Sequence, residues 1–179
     1  MRKALFVLGI CILATPAFAG GGFSLFGAYS QVNADEFAPG AGVRLSIGGD
    51  RWVGDLTWTW FENKDGVDTI AGYNDDLQVI PTDLGLRYLF NSQGKFDPYV
   101  GAGFTFFYTN LNDGSADNAF GGYAMIGFNI GKGRTKFFAE AFYRWGRSDV
   151  SYHVTPNDQI TGKMDVGGLG FNLGVAWGF

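Results

Sequence analysis

Gly168-Leu169-Gly170-Phe171-Asn172-Leu173-Gly174-Val175-Ala176-Trp177-Gly178-Phe179 closes the chain, and every odd position in it is large and apolar while every even one is small or polar. A period of two is the period of a β-strand, whose successive side chains leave opposite faces. One face of this strand, Leu169, Phe171, Leu173, Val175, Trp177 and Phe179, suits hydrocarbon, and the other is nearly bare. The same reading extends back along the chain.

Between residues 51 and 61, Trp52, Leu56, Trp58 and Trp60 alternate with Arg51, Asp55, Thr57 and Thr59. Leu84, Leu86, Tyr88 and Phe90 alternate with Asp83, Gly85 and Arg87. Ala139, Ala141, Tyr143 and Trp145 alternate with Glu140, Phe142 and Arg144. Eight such segments can be marked, at about 22–31, 41–48, 51–61, 77–90, 97–109, 121–130, 135–146 and 166–179, and none has the 3.6-residue period of a helix. The links between them alternate long and short, the short ones including Gly49-Asp50 and Gly131-Lys132-Gly133-Arg134. In an up-and-down barrel consecutive links emerge on opposite sides. All long links therefore belong at one end and all tight turns at the other, the periplasmic end. A strand of 9–11 residues tilted by about 45° spans roughly 21–26 Å, the height of the apolar band of a membrane barrel.

A secreted β-sandwich or ligand-binding barrel also shows period two, but with its large apolar residues inside. Here the face that would then be inside carries Trp58, Trp60, Phe104, Phe106, Tyr108, Tyr143 and Trp145. An eight-stranded cylinder is only just wide enough to be filled by side chains. The opposite face carries Arg44, Asp55, Asp83, Arg87, Glu140 and Arg144, three charges of each sign, among Gly and Ala. The sequence therefore predicts an all-β protein, an eight-stranded antiparallel up-and-down transmembrane β-barrel with its apolar face outward.

The N-terminus fits that destination. Arg2 and Lys3 precede an apolar run from Ala4 to Thr15 and then Ala17-Phe18-Ala19, the order of a secretory signal peptide cut after Ala19. The reading is thus a signal peptide over 1–19 and a barrel over 20–179. Cys11, the one cysteine, falls in the signal, which leaves no thiol chemistry in the mature chain. Cleavage removes two of thirteen basic residues and none of seventeen acidic ones, moving the formal charge from −4 to −6. An acidic chain without a basic cluster argues against nucleic acid as a partner. Outside the signal no apolar run approaches the roughly 20 residues of a spanning helix.

Aromatic residues fall into two belts, Trp52, Tyr88, Phe137, Trp177 and Phe179 near the short turns and Tyr29, Trp60, Tyr108, Tyr143 and Trp145 near the long links. Rings with a polar edge favour the headgroup level. With Leu84-Gly85-Leu86-Arg87-Tyr88-Leu89-Phe90, Pro98-Tyr99-Val100-Gly101-Ala102-Gly103 and the terminal strand, these features resemble the small bacterial outer-membrane proteins with an eight-stranded barrel domain, similar in general appearance to the porin-like and outer-membrane-protein-A-like families. The resemblance covers about 20–179. It implies a bacterial outer-membrane location, contact with membrane lipid and lipopolysaccharide, and no cofactor. It also implies a C-terminal signal, Phe171, Leu173, Val175, Trp177 and Phe179, that the barrel-assembly machinery recognises. The chain departs from larger members by stopping at Phe179 without a peptidoglycan-binding domain, so wall anchoring is not implied.

The inward charges are the strongest chemical constellation. Asp83 and Arg87 share a face about 13 Å apart along one strand, as do Glu140 and Arg144, so direct pairs have to be cross-strand. A polar core that plugs the barrel is preferred over a narrow conducting path lined by the same residues. Asp149, Ser151 and His153 could in principle form a nucleophilic site, as in a lipid-modifying hydrolase, but they are read as an irregular surface loop. Asp65, Asp68, Asp75 and Asp76 make an acidic loop open to weak Ca²⁺ binding, and no metal motif is seen. Pro81, lacking an N–H, marks a bulge or the end of a ladder. The sequence thus favours a non-enzymatic, monomeric or weakly associated barrel with a structural or surface role, a narrow channel being the alternative.

Overall fold

A computed structural model describes residues 21–33, 36–61, 64–68, 74–111, 115–155 and 158–178. The signal segment read at 1–19 and Phe179 lie outside the described residues. The described chain forms β1 (Gly21–Asn33), β2 (Glu36–Gly48), β3 (Trp52–Phe61), β4 (Lys64–Asp68), β5 (Asn74–Leu89), β6 (Phe96–Leu111), β7 (Ser115–Ala116), β8 (Ala119–Ile130), β9 (Thr135–Thr155), β10 (Asp158–Asp165) and β11 (Gly168–Trp177). No helix occurs among the described residues. Eight strands close a ring in the order β1, β2, β3, β5, β6, β8, β9, β11 and back to β1, each antiparallel to both neighbours. Closure gives every strand of the ring a partner on both sides, which is what lets a sheet sit in hydrocarbon.

The phase of the wall is apolar outward. Leu84, Phe104, Phe120, Ile126 and Leu173 are all more than 60 % exposed, a degree that water would penalise and lipid tails reward. The inner face alternates with it: β3 buries Val53, Asp55, Thr57, Thr59 and Phe61 and turns Trp52 and Trp60 outward.

The strands run further at the long-link end than the alternation alone shows. β2 starts at Glu36, five residues before the segment read as 41–48, because Phe37, Ala38 and Pro39 pair with Gln31, Ser30 and Tyr29. The link read as an irregular stretch over 147–165 is instead a hairpin. β9 runs on to Thr155, and β10 pairs back along it from Arg147↔Asp165 to His153↔Gln159. Val150, Met164 and Val166 are buried there, an apolar underside hidden in the sequence among polar neighbours. Asp149, Ser151 and His153 are accordingly strand residues, not loop residues.

The inside is filled by aromatic rings laid over glycines on directly paired rungs: Phe26 against Gly42 and Gly174, Phe142 against Gly170, Tyr99 against Gly127 and Tyr123 against Gly103. A Cβ on Gly42 would fall 2.2 Å from Phe26 Cζ and 2.7 Å from the Trp58 carbonyl oxygen. Gly42→Ala should therefore overpack the interior and cost about 1–3 kcal/mol. A lower urea midpoint for barrels folded in lipid vesicles, partly restored by adding Phe26→Leu, is the expected result; an unchanged midpoint would show that the ring is free to move.

Candidate functional site: a charged plug below an apolar layer

All six inward charges lie buried inside the barrel, where they form three ion pairs. Arg44 of β2 reaches across the lumen to Glu140 of β9 in a bidentate pair, one arm of it Nη1 to Oε2 at 3.1 Å. Arg87 of β5 binds Asp55 on the adjacent β3, with Nη2 donating to Oδ1 at 2.9 Å. Arg144 of β9 crosses to Asp83 of β5, Nη2 donating to Oδ2 at 2.7 Å and Nε to Oδ1 at 3.1 Å. Asp83 and Arg87 do not pair with each other, and neither do Glu140 and Arg144, as their spacing along one strand requires.

The carboxylates are held from other sides as well. Glu140 accepts from Tyr99 Oη at 2.8 Å and from Asn172 Nδ2 at 2.7 Å. Asp55 accepts from Ser46 Oγ at 2.6 Å, and Asp83 from Thr105 Oγ1 at 2.7 Å. Each guanidinium also lies over a ring: Arg44 over Phe26 and Phe138 (5.6 and 5.3 Å to the ring centroids), Arg87 over Tyr99 (5.0 Å), and Arg144 over Phe142 (4.0 Å). Desolvated charges persist only when paired and hydrogen-bonded in this way; among the described buried side-chain atoms, Arg144 Nη1 and Asn172 Oδ1 alone have no hydrogen-bond partner. The same side chains that satisfy them also fill the cross-section.

Toward the long-link end the interior changes character. Phe61, Val79, Phe107, Val150, Met164 and Val166 are buried there, the upper part of one apolar cluster that continues down to Phe26 and Phe138 beside Arg44. The wall beside Phe61 and Val79 is interrupted. The β3–β5 ladder runs from Trp52↔Tyr88 to Trp58↔Thr82 and stops there. The flanking seams continue, β2–β3 to Gly40↔Phe61 and β5–β6 to Leu77↔Leu111. Among the described residues, pairing with β5 resumes only in β4, at Lys64↔Leu77. Pro81 lies in the gap. Its ring removes the N–H that a rung to β3 would use, while on its other side the strand still registers with Phe107.

A geometry of eight wall strands, short turns at one end and a polar interior is shared by several families. The OmpW family model matches residues 56–179, more than two thirds of the sequence. The chain belongs to the OmpW family. Solved structures agree on the fold: the outer membrane protein OprG from Pseudomonas aeruginosa superposes with TM-score 0.70 at 16 % identity, covering 90 % of this chain and 97 % of that one. The outer membrane protein AlkL gives 0.63 at 14 % identity over 90 % and 91 %, and Neisserial surface protein A gives 0.58 at 15 % over 89 % and 96 %. No curated protein sequence matches the chain. This OmpW-family protein is a β-barrel of the bacterial outer membrane.

Within the OmpW-family barrel the other residues singled out from sequence lie as follows. Tyr29, Trp52, Trp60, Tyr108, Phe137, Tyr143, Trp145 and Trp177 are exposed on the outer wall, and Tyr88 packs edge-on against Trp52 at 5.0 Å. Phe171 and Leu173 point outward and Val175 is half-buried. The side chains of His153, Asp65, Asp68, Asp75 and Asp76 lie outside the described residues. Among the described residues no three His, Cys, Asp or Glu side chains cluster as metal ligands. The interior rings Phe26, Phe107 and Phe138 were not foreseen. Glycine recurring on the same inner face was their signal, since a ring needs an empty neighbour.

Proposed function

We propose that the barrel acts without catalysis, as a conduit that passes small apolar molecules from outside into the membrane through its wall, and not as an axial pore for ions. One observation carries the reading. The lumen is closed at mid-height by three ion pairs, and directly above them an apolar layer adjoins a stretch of wall that lacks its rungs. A backbone group without a hydrogen bond costs several kcal/mol in hydrocarbon, so a break in the ladder is not a neutral feature of a membrane wall. An apolar solute entering from the long-link end would meet Phe107 and Val79, stop at the charges, and leave between β3 and β5. An ion following the same route would have to displace Arg44, Arg87 and Arg144 from their carboxylates. The terminal alternation ending at Phe179 is, on this reading, the segment the assembly machinery receives.

Planar bilayers should show no steady unitary conductance at neutral pH. Vesicles with a lipopolysaccharide outer leaflet should take up a small apolar fluorophore faster with the barrel than without it. Reproducible ion-selective steps, or equal uptake in the two vesicle types, would sink the proposal.

A further inference from the structure

The uppermost charges of the plug form the sill of the β3–β5 gap. Toward the long-link end the buried inner residues of β5 run Asp83, Pro81, Val79, and those of β3 run Thr59, Phe61. Asp83 and Thr59 are thus the last polar side chains before the apolar cluster, and the ladder between their strands ends at Trp58↔Thr82, next to both. Arg144 reaches them from across the lumen, its Nη2 donating to Asp83 Oδ2 at 2.7 Å and to Thr59 Oγ1 at 3.5 Å. On its own strand Arg144 stands between two rings. Phe142 lies 4.0 Å from its Cζ, and on the other side Phe107 covers Gly146, where a Cβ would fall 2.4 Å from the ring. Because Nε and Nη2 both bond Asp83, the trigonal guanidinium turns Nη1 away from the carboxylate. Nη1 is the one described buried side-chain donor without a hydrogen-bond partner, on a side chain only 4 % exposed. Leaving a buried charged donor open is costlier than leaving a neutral one. The other unpartnered atom, Asn172 Oδ1, is an acceptor beside Glu140, nearer the short turns.

We infer that Arg144 Nη1 is an acceptor-binding site at the seam, and that the solutes it takes are small uncharged molecules with one acceptor oxygen on an apolar body, as in a ketone or an ester. The inference rests on the conduit reading for its route, since the gap is what brings a solute to the sill. Nη1 is enclosed, so a solute reaches it by displacing apolar side chains and not through a water-filled pore. That demands an apolar body. The oxygen then accepts from Nη1, the body stays among the rings, and the molecule is oriented with its polar end toward the plug. A hydrocarbon leaves the donor open. A carboxylate could make the same bond, but Asp83 already neutralises the guanidinium, so the anion would lose its hydration for no net opposite charge. An ammonium brings no acceptor at all.

Acetophenone, the hydrocarbon α-methylstyrene and the anion benzoate have nearly one shape and separate the three classes. The protein, purified from outer membranes in non-ionic detergent, would be titrated with acetophenone carrying an isotope-labelled carbonyl and read by difference infrared spectroscopy. A carbonyl band at lower wavenumber than in detergent alone should appear and saturate at one ketone per barrel. Removing it should take a roughly tenfold or larger excess of α-methylstyrene or benzoate, the advantage expected of a hydrogen bond to a charged donor. Arg144→Met/Asp83→Asn takes away both charges and leaves residue 83 able to accept from Thr105. It should abolish the shifted band, with heat-modifiable gel mobility showing that the variant is folded; should it not fold, the competition in the parent protein decides. No shifted band in the parent, displacement by α-methylstyrene at equal concentration, or an undiminished band in the folded double variant would overturn the proposal. A shifted band without barrel-dependent uptake of the apolar fluorophore would sink the conduit and leave the acceptor site standing, whereas uptake without the band would overturn the site alone.

Discussion

Arg44→Ala should destabilise the barrel by about 3–5 kcal/mol, the cost of leaving a buried carboxylate without its counter-charge. Glu140 would keep Tyr99 Oη and Asn172 Nδ2, but two neutral donors do not neutralise it. The Arg44 guanidinium also lies against the edge-to-face pair of Phe26 and Phe138, so its removal opens a void beside those rings. Replacing the whole pair, Arg44→Met/Glu140→Met, removes both charges and keeps most of the volume. Such exchanges are often neutral or stabilising. The double variant should therefore be more stable than Arg44→Ala alone, although it loses more hydrogen bonds. Urea unfolding in lipid vesicles, followed by tryptophan fluorescence, measures the difference. A loss under about 1 kcal/mol for Arg44→Ala would mean that water or another cation reaches Glu140 and that the plug is not dry.

The container was legible because its evidence is local. In β11 the alternation of Leu169, Phe171 and Leu173 with Gly170, Asn172 and Gly174 states both the strand and which side meets lipid. The charges on the opposite phase, from Arg44 to Arg144, give the inside. Which charges meet was less accessible. Arg87 and Asp55 lie on adjacent strands, but Arg44 with Glu140 and Arg144 with Asp83 meet across the lumen between strands three places apart in the ring. That depends on the shape of the closed cross-section, which no single segment encodes. In sequence the upper part of β9 looks like a loop because its partner, β10, carries Gly162 and charged residues and shows no outward apolar stripe; its burial is on the underside, through Val150 and Met164. Pro81 could be recognised as a ladder end. Its consequence could not, since the gap also needs the β5–β6 seam to continue past it and, among the described residues, the pairing to resume only at Lys64, both long-range facts.

The interrupted seam is the feature on which the functional account stands, and it can be locked. If the register of Trp58↔Thr82 continued, Trp60 would stand opposite Ile80. Both side chains belong to the outer phase of the wall, away from the plug. The only cysteine in the sequence is Cys11, within the segment read as the signal, so cysteines introduced at 60 and 80 would be the only thiols of the processed chain. A short bis-maleimide, or oxidation where the sulfurs approach within disulfide reach, would staple β3 to β5 without touching any of the three ion pairs. The decisive measurement is uptake of a small apolar fluorophore into lipopolysaccharide-coated vesicles carrying Trp60→Cys/Ile80→Cys barrels, before stapling, after it, and after reduction of the disulfide form. The account predicts that stapling lowers barrel-dependent uptake at least tenfold, toward the protein-free rate, and that reduction restores it. Full uptake by a barrel shown on gels to be completely stapled would contradict passage through the wall.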